Sequence, residues 1–431
     1  MAIQEKNYWL ETVAIPPGDS EPLPESIDVA IVGSGVTGLS AALELARRGV
    51  AVAVLEAETL GWGASSRNGG MVLTGMKLPV PTLISRYGSE ATRRMYEASL
   101  ASIDCVEQII AKENIDCDFS RCGHLEVACK QAHFDGYAES AALIARKFNH
   151  KLRIVPKSEL HNEIGSDIYY GGLVDETSAG LNPARYVSGL AAAAHRAGAR
   201  TFDRTRVETV QPVTCNGSQN FLVNTTKGSL RARDVLLASG AYTTKATPGL
   251  QKKIIPIGSY IIASEVLDHG LAHELSPKKR MIYDSKHFLY YYRLTPDNRM
   301  LFGGRAAFFP ESESTIRESA EILRRGMISV YPQLRDTAVE FVWGGTLDFA
   351  FDVMPHTGRV EGMHYAVGYA GHGVAIGTYL GTKLAGIICG ESNDIPFDGI
   401  PFPSPPIGLR NGNAWALPLA GAYYKVLDWV S

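Results

Sequence analysis

Residues 28–38 read Asp-Val-Ala-Ile-Val-Gly-Ser-Gly-Val-Thr-Gly, with glycines spaced as Gly-x-Gly-x-x-Gly. A short apolar run rich in β-branched residues, 27–32, precedes the glycines. A helical stretch, 39–48, follows them and ends at a glycine, and a second apolar run covers 50–55. This order predicts a strand, a tight turn, a helix and a second parallel strand, because each segment has the period and length of its element.

Each glycine in this turn has a separate physical task. Gly33 permits the tight turn, Gly35 lets the backbone approach a pyrophosphate, and Gly38 lets the helix pack closely on the strand. The free N–H groups at the helix start then face the phosphates. Glu56, directly after the second strand, can accept hydrogen bonds from ribose hydroxyls and would repel a 2′-phosphate. The unit therefore predicts a site for the ADP half of FAD or NAD.

Composition is that of an ordinary globular protein. The chain has 431 residues, 45% apolar and 20% charged, which is long enough for two domains. The formal charge of −3 gives no basic surface for nucleic acid. The six cysteines form no Cys-x-x-Cys pair and no zinc pattern, which favours reduced thiols and no metal site. We expect a cytoplasmic protein without a transmembrane segment, since the N-terminus lacks a signal peptide and no apolar run reaches about 18 residues.

The order of elements indicates an α/β fold in which two domains are interleaved. We expect a Rossmann-like nucleotide-binding domain from residues 1–113, 168–243 and 340–431. An antiparallel-sheet α+β domain for the substrate would come from 114–167 and 244–339. Within it, 288–293 and 300–305 flank a Thr-Pro-Asp-Asn turn and predict a hairpin. The site should lie between the domains, where ligand clefts are common.

Three further segments carry a family resemblance when combined with the glycine turn. Residues 61–70 read Gly-Trp-Gly-Ala-Ser-Ser-Arg-Asn-Gly-Gly. Residues 291–299 read Tyr-Tyr-Arg-Leu-Thr-Pro-Asp-Asn-Arg, and 368–374 read Gly-Tyr-Ala-Gly-His-Gly-Val. Together they make the chain resemble, over almost its full length, the D-amino-acid-oxidase-like (DAO) FAD-dependent oxidoreductases. Within that family the chain is most similar to γ-glutamylputrescine oxidoreductases and to the glycine and sarcosine oxidase group.

The resemblance implies FAD as the cofactor. We expect it to be non-covalent, because no His follows the Ser65-Ser66 pair and no Cys lies in 344–351, where some relatives attach the flavin. The residues predicted to hold FAD are Gly33, Ser34, Gly35, Val36, Thr37, Gly38, Glu56, Ala57, Gly63, Ala64, Ser65, Arg67, Asn68, Gly69, Gly70, Met71, Val207, Ser239, Gly240, Gly371, His372, Gly373, Val374, Ala375 and Ile376.

The reaction implied by the resemblance is oxidation of a C–N bond in a secondary amine or N-substituted amino acid. Hydride passes to the flavin, the imine hydrolyses, and electrons pass to oxygen to give peroxide. The substrate is either a γ-glutamylputrescine-like amine or an N-substituted glycine such as sarcosine or iminodiacetate. Two alternatives stay open: a dehydrogenase that passes electrons to a quinone or carrier, and a non-catalytic flavin-binding protein.

Five residues are candidates for the substrate side. Arg305 could clamp a substrate carboxylate through two hydrogen bonds, or be a structural arginine at a strand end. Tyr290 and Tyr292 share one strand face, which is expected to wall the site, and Tyr260 is a similar candidate. His372 is expected to shape the flavin loop, with a role as base the alternative.

Four positions depart from the family pattern near the substrate. They are Met71 for the usual Gln, Val353 for Arg, Arg305 for a small residue and Tyr290 for Asp. Lys77 and His287 are further possible site residues. These departures make the cofactor easier to predict than the substrate.

Overall fold

A computed structural model describes residues 3–215, 218–307, 313–410 and 419. The strands in these residues, in chain order, are β1 (Ser26–Val32), β2 (Val52–Leu55), β3 (Met71–Val72), β4 (His124–Val127), β5 (Arg153–Pro156), β6 (Gly171–Asp175), β7 (Ala179–Gly180), β8 (Arg200–Phe202), β9 (Val207–Cys215), β10 (Ser218–Thr225), β11 (Gly228–Leu237), β12 (Ile254–Val266), β13 (Met281–Asp284), β14 (Tyr291–Leu294), β15 (Arg299–Ala307), β16 (Val339–Ala350), β17 (His356–Val360) and β18 (Met363–Val367).

The helices surround two large sheets. They are α1 (Val36–Arg47), α2 (Val80–Tyr87), α3 (Ser89–Glu113), α4 (Gln131–Phe148), α5 (Pro183–Arg196), α6 (Pro248–Gln251), α7 (His269–Leu275), α8 (Glu313–Val330) and α9 (Gly373–Ile388). In the described part of the chain, no helix combines the length and apolar character needed to cross a membrane.

The first sheet confirms the predicted strand–helix–strand unit. Its main path runs β17-β18-β11-β1-β2-β8, and β10 and β9 extend it from β11. The central strands β18, β11, β1, β2 and β8 are parallel. Helix α1 connects β1 to β2 and packs against α5 and α9 in the main apolar core. A parallel sheet covered by helices is the arrangement in which ligands bind beyond the carboxyl ends of the strands.

The second sheet runs β16-β12-β15-β14-β13-β4-β6-β5 and is antiparallel except between β13 and β4. The predicted hairpin is confirmed as β14 and β15, with Asn298 in the left-handed region at its turn. Helix α8 covers one face of this sheet and forms a second core with it. The fold is therefore the mixed α/β fold predicted, with one parallel-centred and one antiparallel sheet.

The predicted domain boundaries differ from the sheets at two strands. β6, inside the predicted segment 168–243, pairs with β4 and β5 of the second sheet. β16, almost all of it inside the predicted segment 340–431, pairs with β12 of the same sheet. Both strands are apolar runs, and periodicity alone does not show which sheet an apolar strand joins.

Candidate active site

A large cavity lies between the two sheets. Its volume is about 1630 Å³, beyond the roughly 300–1,000 Å³ typical of a site for one drug-sized ligand. The carboxyl ends of β1 and β2 and the start of α9 line one part of it. Strands β4, β12 and β14 and helix α4 line the other part. The space therefore suits a dinucleotide at the first sheet and a smaller molecule at the second.

The glycine turn forms the end of the cavity next to β1. Gly33 has a φ of +104°, and a Cβ there would lie 2.8 Å from the Ala238 carbonyl oxygen. A Cβ on Gly38 would lie 2.0 Å from the Gly33 carbonyl oxygen, so this position packs the helix on the turn. Helix α1 has Gly35 as its N-cap and receives no side-chain cap. The N–H groups of its first turn, apart from that of Val36, which donates to the Ser65 hydroxyl, are thus available to an anion in the cavity.

Glu56 is held at the end of β2 by donors on both of its oxygens. The Ser34 hydroxyl and backbone N–H donate to Oε2 at 2.6 and 3.0 Å. The Glu58 N–H donates to Oε1 at 3.0 Å. An ionised carboxylate has about four acceptor positions, so these three donors leave one position, on Oε1, for a ligand hydroxyl.

The Gly-rich loop 61–71 folds over the start of α1. The Ser65 hydroxyl accepts from the Val36 N–H at 3.0 Å. Asn68 fixes the loop with its amide group, which donates to two carbonyls of the preceding turn and accepts from the Gly70 N–H at 2.8 Å. Arg67 stacks on Trp62 at 4.3 Å. These bonds give the loop one fixed conformation against the helix terminus.

Arg67 also joins the loop to the second sheet. Its Nε donates to the Trp62 carbonyl at 2.8 Å, and one terminal nitrogen donates to the Gly344 carbonyl at 3.2 Å. Its side chain lines the cavity. The structure therefore gives Arg67 a positioning role in the loop, and the contact with FAD stays a prediction.

The loop before α9 forms another wall of the cavity. Helix α9 has His372 as its N-cap and again receives no side-chain cap. The Tyr369 hydroxyl and the Thr37 hydroxyl lie 2.7 Å apart, which ties this loop to α1. His372 Nδ1 is buried and has no hydrogen-bond partner among the described residues. Burial and the nearby positive charge of Lys77 lower the pKa of His372 to about 3, so its ring is neutral.

Asp348 is a buried carboxyl beside this loop that the sequence did not single out. It lines the cavity and accepts from the Gly368 N–H at 2.7 Å. Its backbone carbonyl accepts from the Ala370 N–H at 3.0 Å. Burial raises the pKa of Asp348 to about 7, against the opposing effect of the backbone donors. Only its place in the folded sheet distinguishes it from other aspartates of the chain.

Most of the residues predicted to hold FAD line this one cavity. Four do not line it. Gly38 and Gly70 support the turn and the loop, and Ala375 and Ile376 lie on the side of α9 that is buried in the main apolar core. Those that line the cavity are Gly33, Ser34, Gly35, Val36, Thr37, Glu56, Ala57, Gly63, Ala64, Ser65, Arg67, Asn68, Gly69, Met71, Val207, Ser239, Gly240, Gly371, His372, Gly373 and Val374.

The predicted tyrosine face is corrected by the structure. The Tyr292 hydroxyl donates to the Tyr169 hydroxyl at 2.8 Å in the second core. Tyr290 packs on Phe302, and Tyr260 is fully buried in the same core. None of the three predicted tyrosines lines the cavity. The prediction chose the wrong face because α8 covers the side of the sheet to which these residues point.

Tyr291, on the opposite face of β14, lines the cavity instead. A Cβ added to Gly303 would lie 2.3 Å from the Tyr291 ring, and a Cβ added to Gly69 would lie 3.1 Å from it. Its hydroxyl is 3.2 Å from the Ser259 hydroxyl. Tyr291 therefore stands between the Gly-rich loop and the second sheet, where the two parts of the cavity meet.

The remaining predicted positions divide into two groups. Met71, Lys77, His287 and Val353 line the cavity. Arg305 belongs to β15, but its side chain lies outside the described residues, so the carboxylate clamp stays a prediction.

A buried polar cluster at the second sheet was not predicted as a unit. It comprises Lys77, Glu126, Tyr137, Tyr283 and Asp284, all of which line the cavity. These residues come from four separate parts of the chain, with only Tyr283 and Asp284 adjacent on β13. The alternating pattern of β4 is visible in the sequence. The tertiary contacts that bring Glu126 into the cavity are not.

The residues at the first sheet fit FAD. Two helix N-termini without side-chain caps, those of α1 and α9, border the same cavity and suit an anionic pyrophosphate and an electron-rich ring edge. Glu56 has a free acceptor position on Oε1 for a ribose, and the buried Nδ1 of His372 is available as a hydrogen-bonding atom.

Comparison with known proteins agrees with this geometry. The family model described as "FAD dependent oxidoreductase" (DAO) matches residues 28–387. "Probable oxidoreductase OrdL" of Haemophilus influenzae is 34% identical over 411 residues, covering 94% of this chain and 92% of that protein. "Gamma-glutamylputrescine oxidoreductase" of Escherichia coli is 31% identical over 412 residues, with 94% of each covered. The glycine oxidase structure from Geobacillus kaustophilus has a TM-score of 0.73 at 21% identity, covering 89% of this chain and 99% of that one, and shows a shared fold.

Proposed function

Because the chain belongs to the DAO family of FAD-dependent oxidoreductases, we propose that it binds FAD non-covalently and oxidises a C–N bond of a secondary amine or N-substituted amino acid. The observation that carries this proposal is the convergence of the two uncapped helix N-termini and Glu56 on one cavity, which continues into a polar pocket at the second sheet. The substrate is either a γ-glutamylputrescine-like amine or an N-substituted glycine.

The residues that would hold FAD are those that line the first-sheet part of the cavity. The N–H groups at the start of α1 would face the pyrophosphate, and Glu56 would accept from the ribose. The loop of Ser65 and Asn68 and the start of α9 would border the flavin ring. Bound FAD supplies the acceptor for the hydride that leaves the carbon next to the amine nitrogen. Water then hydrolyses the imine to a carbonyl compound and an amine, and the electrons pass to oxygen.

The chain's own contribution is to position the substrate and to favour its uncharged amine. Burial lowers the pKa of Lys77 in this cavity. The same low-dielectric surroundings would lower the pKa of the substrate amine that is oxidised and supply the neutral form that loses hydride. Tyr291 would contact the substrate where the two parts of the cavity meet. His372 would contribute shape and a hydrogen bond, because its low pKa makes it a poor base near neutral pH.

An anaerobic visible spectrum tests the proposal. We expect a flavin band in the purified protein that is bleached by one of γ-glutamylputrescine, sarcosine or iminodiacetate. Acid precipitation should release the flavin into the supernatant, whereas a covalent flavin would stay in the pellet. Peroxide formed in amounts equal to the substrate consumed indicates an oxidase, and its absence indicates electron transfer to a carrier. A flavin that no amine bleaches would contradict the proposal.

A further inference from the structure

Lys77 and Glu126 are two partly buried groups of opposite charge that face the same cavity without contacting each other. Both line its second-sheet part. Lys77 follows the Gly-rich loop by a few residues, whereas Glu126 lies on β4. Among the described residues, Lys77 has no hydrogen bond and no carboxylate within 4 Å. Glu126 accepts from the Tyr283 hydroxyl at the long distance of 3.5 Å.

The other carboxylates of this region already have partners. Asp284 pairs with Lys286 at 2.8 Å. Asp175 pairs with His150 at 2.8 Å and also accepts from a threonine hydroxyl. Each of these carboxylates therefore already has a partner within the protein. In the second-sheet part of the described cavity wall, Lys77 and Glu126 are thus two charged groups whose partners a ligand can supply.

A buried hydroxyl beside Glu126 points to the same ligand. The Tyr137 hydroxyl lines the cavity and has no hydrogen-bond partner among the described residues, although the residue is only 6% exposed. The neighbouring Glu126 carboxylate, together with burial, raises the pKa of this hydroxyl. Buried polar atoms in folded proteins are almost always paired, so an unpaired one at a cavity indicates a ligand atom.

We propose that Lys77 and Glu126 bind the two opposite charges of a zwitterionic substrate. The Lys77 ammonium takes a carboxylate, and Glu126 takes a charged amino group other than the amine that is oxidised, together with the hydroxyls of Tyr137 and Tyr283. This inference rests on the proposed amine oxidation and adds the charge pattern of its substrate.

The Lys77 ammonium and the Glu126 carboxylate are each poorly solvated as long as no ligand charge lies next to them. Burial lowers the pKa of Lys77 and raises the pKa of Glu126, so each is driven towards its neutral form. A ligand charge next to each group restores the ionised form through charge-assisted hydrogen bonds. Leu143, Ile144 and Leu173 line the same region and would pack on a methylene chain between the two charges.

Three five-carbon compounds separate the charge patterns in a binding experiment. They are 5-aminopentanoate, which is a zwitterion, 1,5-diaminopentane, which is a dication, and glutarate, which is a dianion. Binding to the flavin-loaded protein is measured anaerobically by calorimetry, so turnover is not the readout. We expect the zwitterion to bind at least about 10-fold more tightly than either other compound. Equal or tighter binding of the dication or the dianion would overturn the proposal.

Two isosteric variants assign each charge to its residue. Lys77→Met should weaken 5-aminopentanoate and glutarate by about 10- to 100-fold and leave 1,5-diaminopentane unchanged. Glu126→Gln should weaken 5-aminopentanoate and 1,5-diaminopentane and leave glutarate unchanged. Lys77→Arg keeps the charge and should retain most of the affinity. Lys383→Met, which removes a surface partner of Asp394, serves as the control.

The outcome separates this inference from the proposed function. Selective zwitterion binding with a flavin that no amine bleaches would refute the proposed oxidation and keep the charge assignment. Bleaching by an amine, with the same ligand preference in wild type and both variants, would overturn the charge assignment alone. If one variant fails to fold, the three compounds on the wild type still decide the result.

Discussion

The Ser34 hydroxyl donates a 2.6 Å hydrogen bond to the Glu56 carboxylate, which ties the glycine turn after β1 to the end of β2. The same hydroxyl accepts from the Gly61 N–H at 2.8 Å, so the Gly-rich loop is joined to both strands. One side chain thus organises three segments around the cavity. Glu56 is held in place by the protein and keeps one acceptor position, on Oε1, for a ligand.

Removing the Glu56 carboxylate should weaken FAD binding without unfolding the protein. We expect Glu56→Ala to raise the dissociation constant of FAD by about 10- to 100-fold, the value of one charged hydrogen bond. Flavin fluorescence on titration of the apoprotein measures this constant. Glu90→Ala, which removes a surface partner of Arg93, should leave the constant unchanged. Equal constants for Glu56→Ala and wild type would refute the ribose assignment.

Two adjacent tyrosines should separate catalysis from stability. Tyr291→Phe removes a hydroxyl at the cavity and should lower kcat/KM by about tenfold, with the free energy of unfolding changed by about 1 kcal/mol or less. Tyr292→Phe removes the donor to buried Tyr169 and should lower the free energy of unfolding by about 1–3 kcal/mol, with kcat/KM unchanged. Steady-state kinetics and urea denaturation on both variants give the comparison. A loss of kcat/KM in Tyr292→Phe but not in Tyr291→Phe would instead support the face that the sequence predicts, that of Tyr290 and Tyr292.

For β14, the sequence predicts which side chains share a face but does not show which face lines the cavity. Alternation correctly placed Tyr290 and Tyr292 on one face, because side chains of a strand alternate whatever the tertiary fold. It could not show that α8 covers that face, since a helix can pack on either side of a sheet. Gly326 of this helix meets the Tyr290 ring directly, and that contact is set by packing between elements far apart in the chain.

Local motifs were predicted better than assembled sites for the same reason. The turn around Gly33 and the acid at Glu56 are fixed by spacing within one short unit, so their positions followed from the sequence. Lys77 and Glu126 lie on separate elements, and no spacing rule relates them. Asp348 is similar, because its burial depends on the sheet around it. The nucleotide part of the cavity was therefore predictable, and the charged part was not.

His372 should not control the pH dependence of the reaction near neutrality. Its pKa of about 3 keeps the ring neutral, so His372→Gln should show the same kcat/KM profile shape as wild type between pH 6 and 9. The unfolded chain has a His pKa of about 6.5 and binds a proton below it, whereas the folded protein does not. The free energy of unfolding should thus fall as pH drops below about 6.5, and this slope should weaken in the variant. Loss of a kinetic pKa near 7 in His372→Gln would contradict this.

Asp348 should give stability the opposite pH dependence. Its pKa is about 7 in the folded protein against about 3.9 in an unfolded chain, so between these values the folded state keeps a proton that the unfolded state has lost. The free energy of unfolding should therefore fall as pH rises through this window, by at most about 1.4 kcal/mol per pH unit, and level off above pH 7.

Asp348→Asn keeps an acceptor for the Gly368 N–H and cannot ionise, so it should abolish this decline. Urea denaturation of the apoprotein at pH 5, 6, 7 and 8 measures it, with Asp394→Asn as an exposed control that should follow the wild type. We expect the variant to gain stability relative to wild type as pH rises, because only the wild type must bury a charged carboxylate above pH 7. Parallel curves for wild type and Asp348→Asn would show that Asp348 titrates normally, and that solvent reaches it on β16.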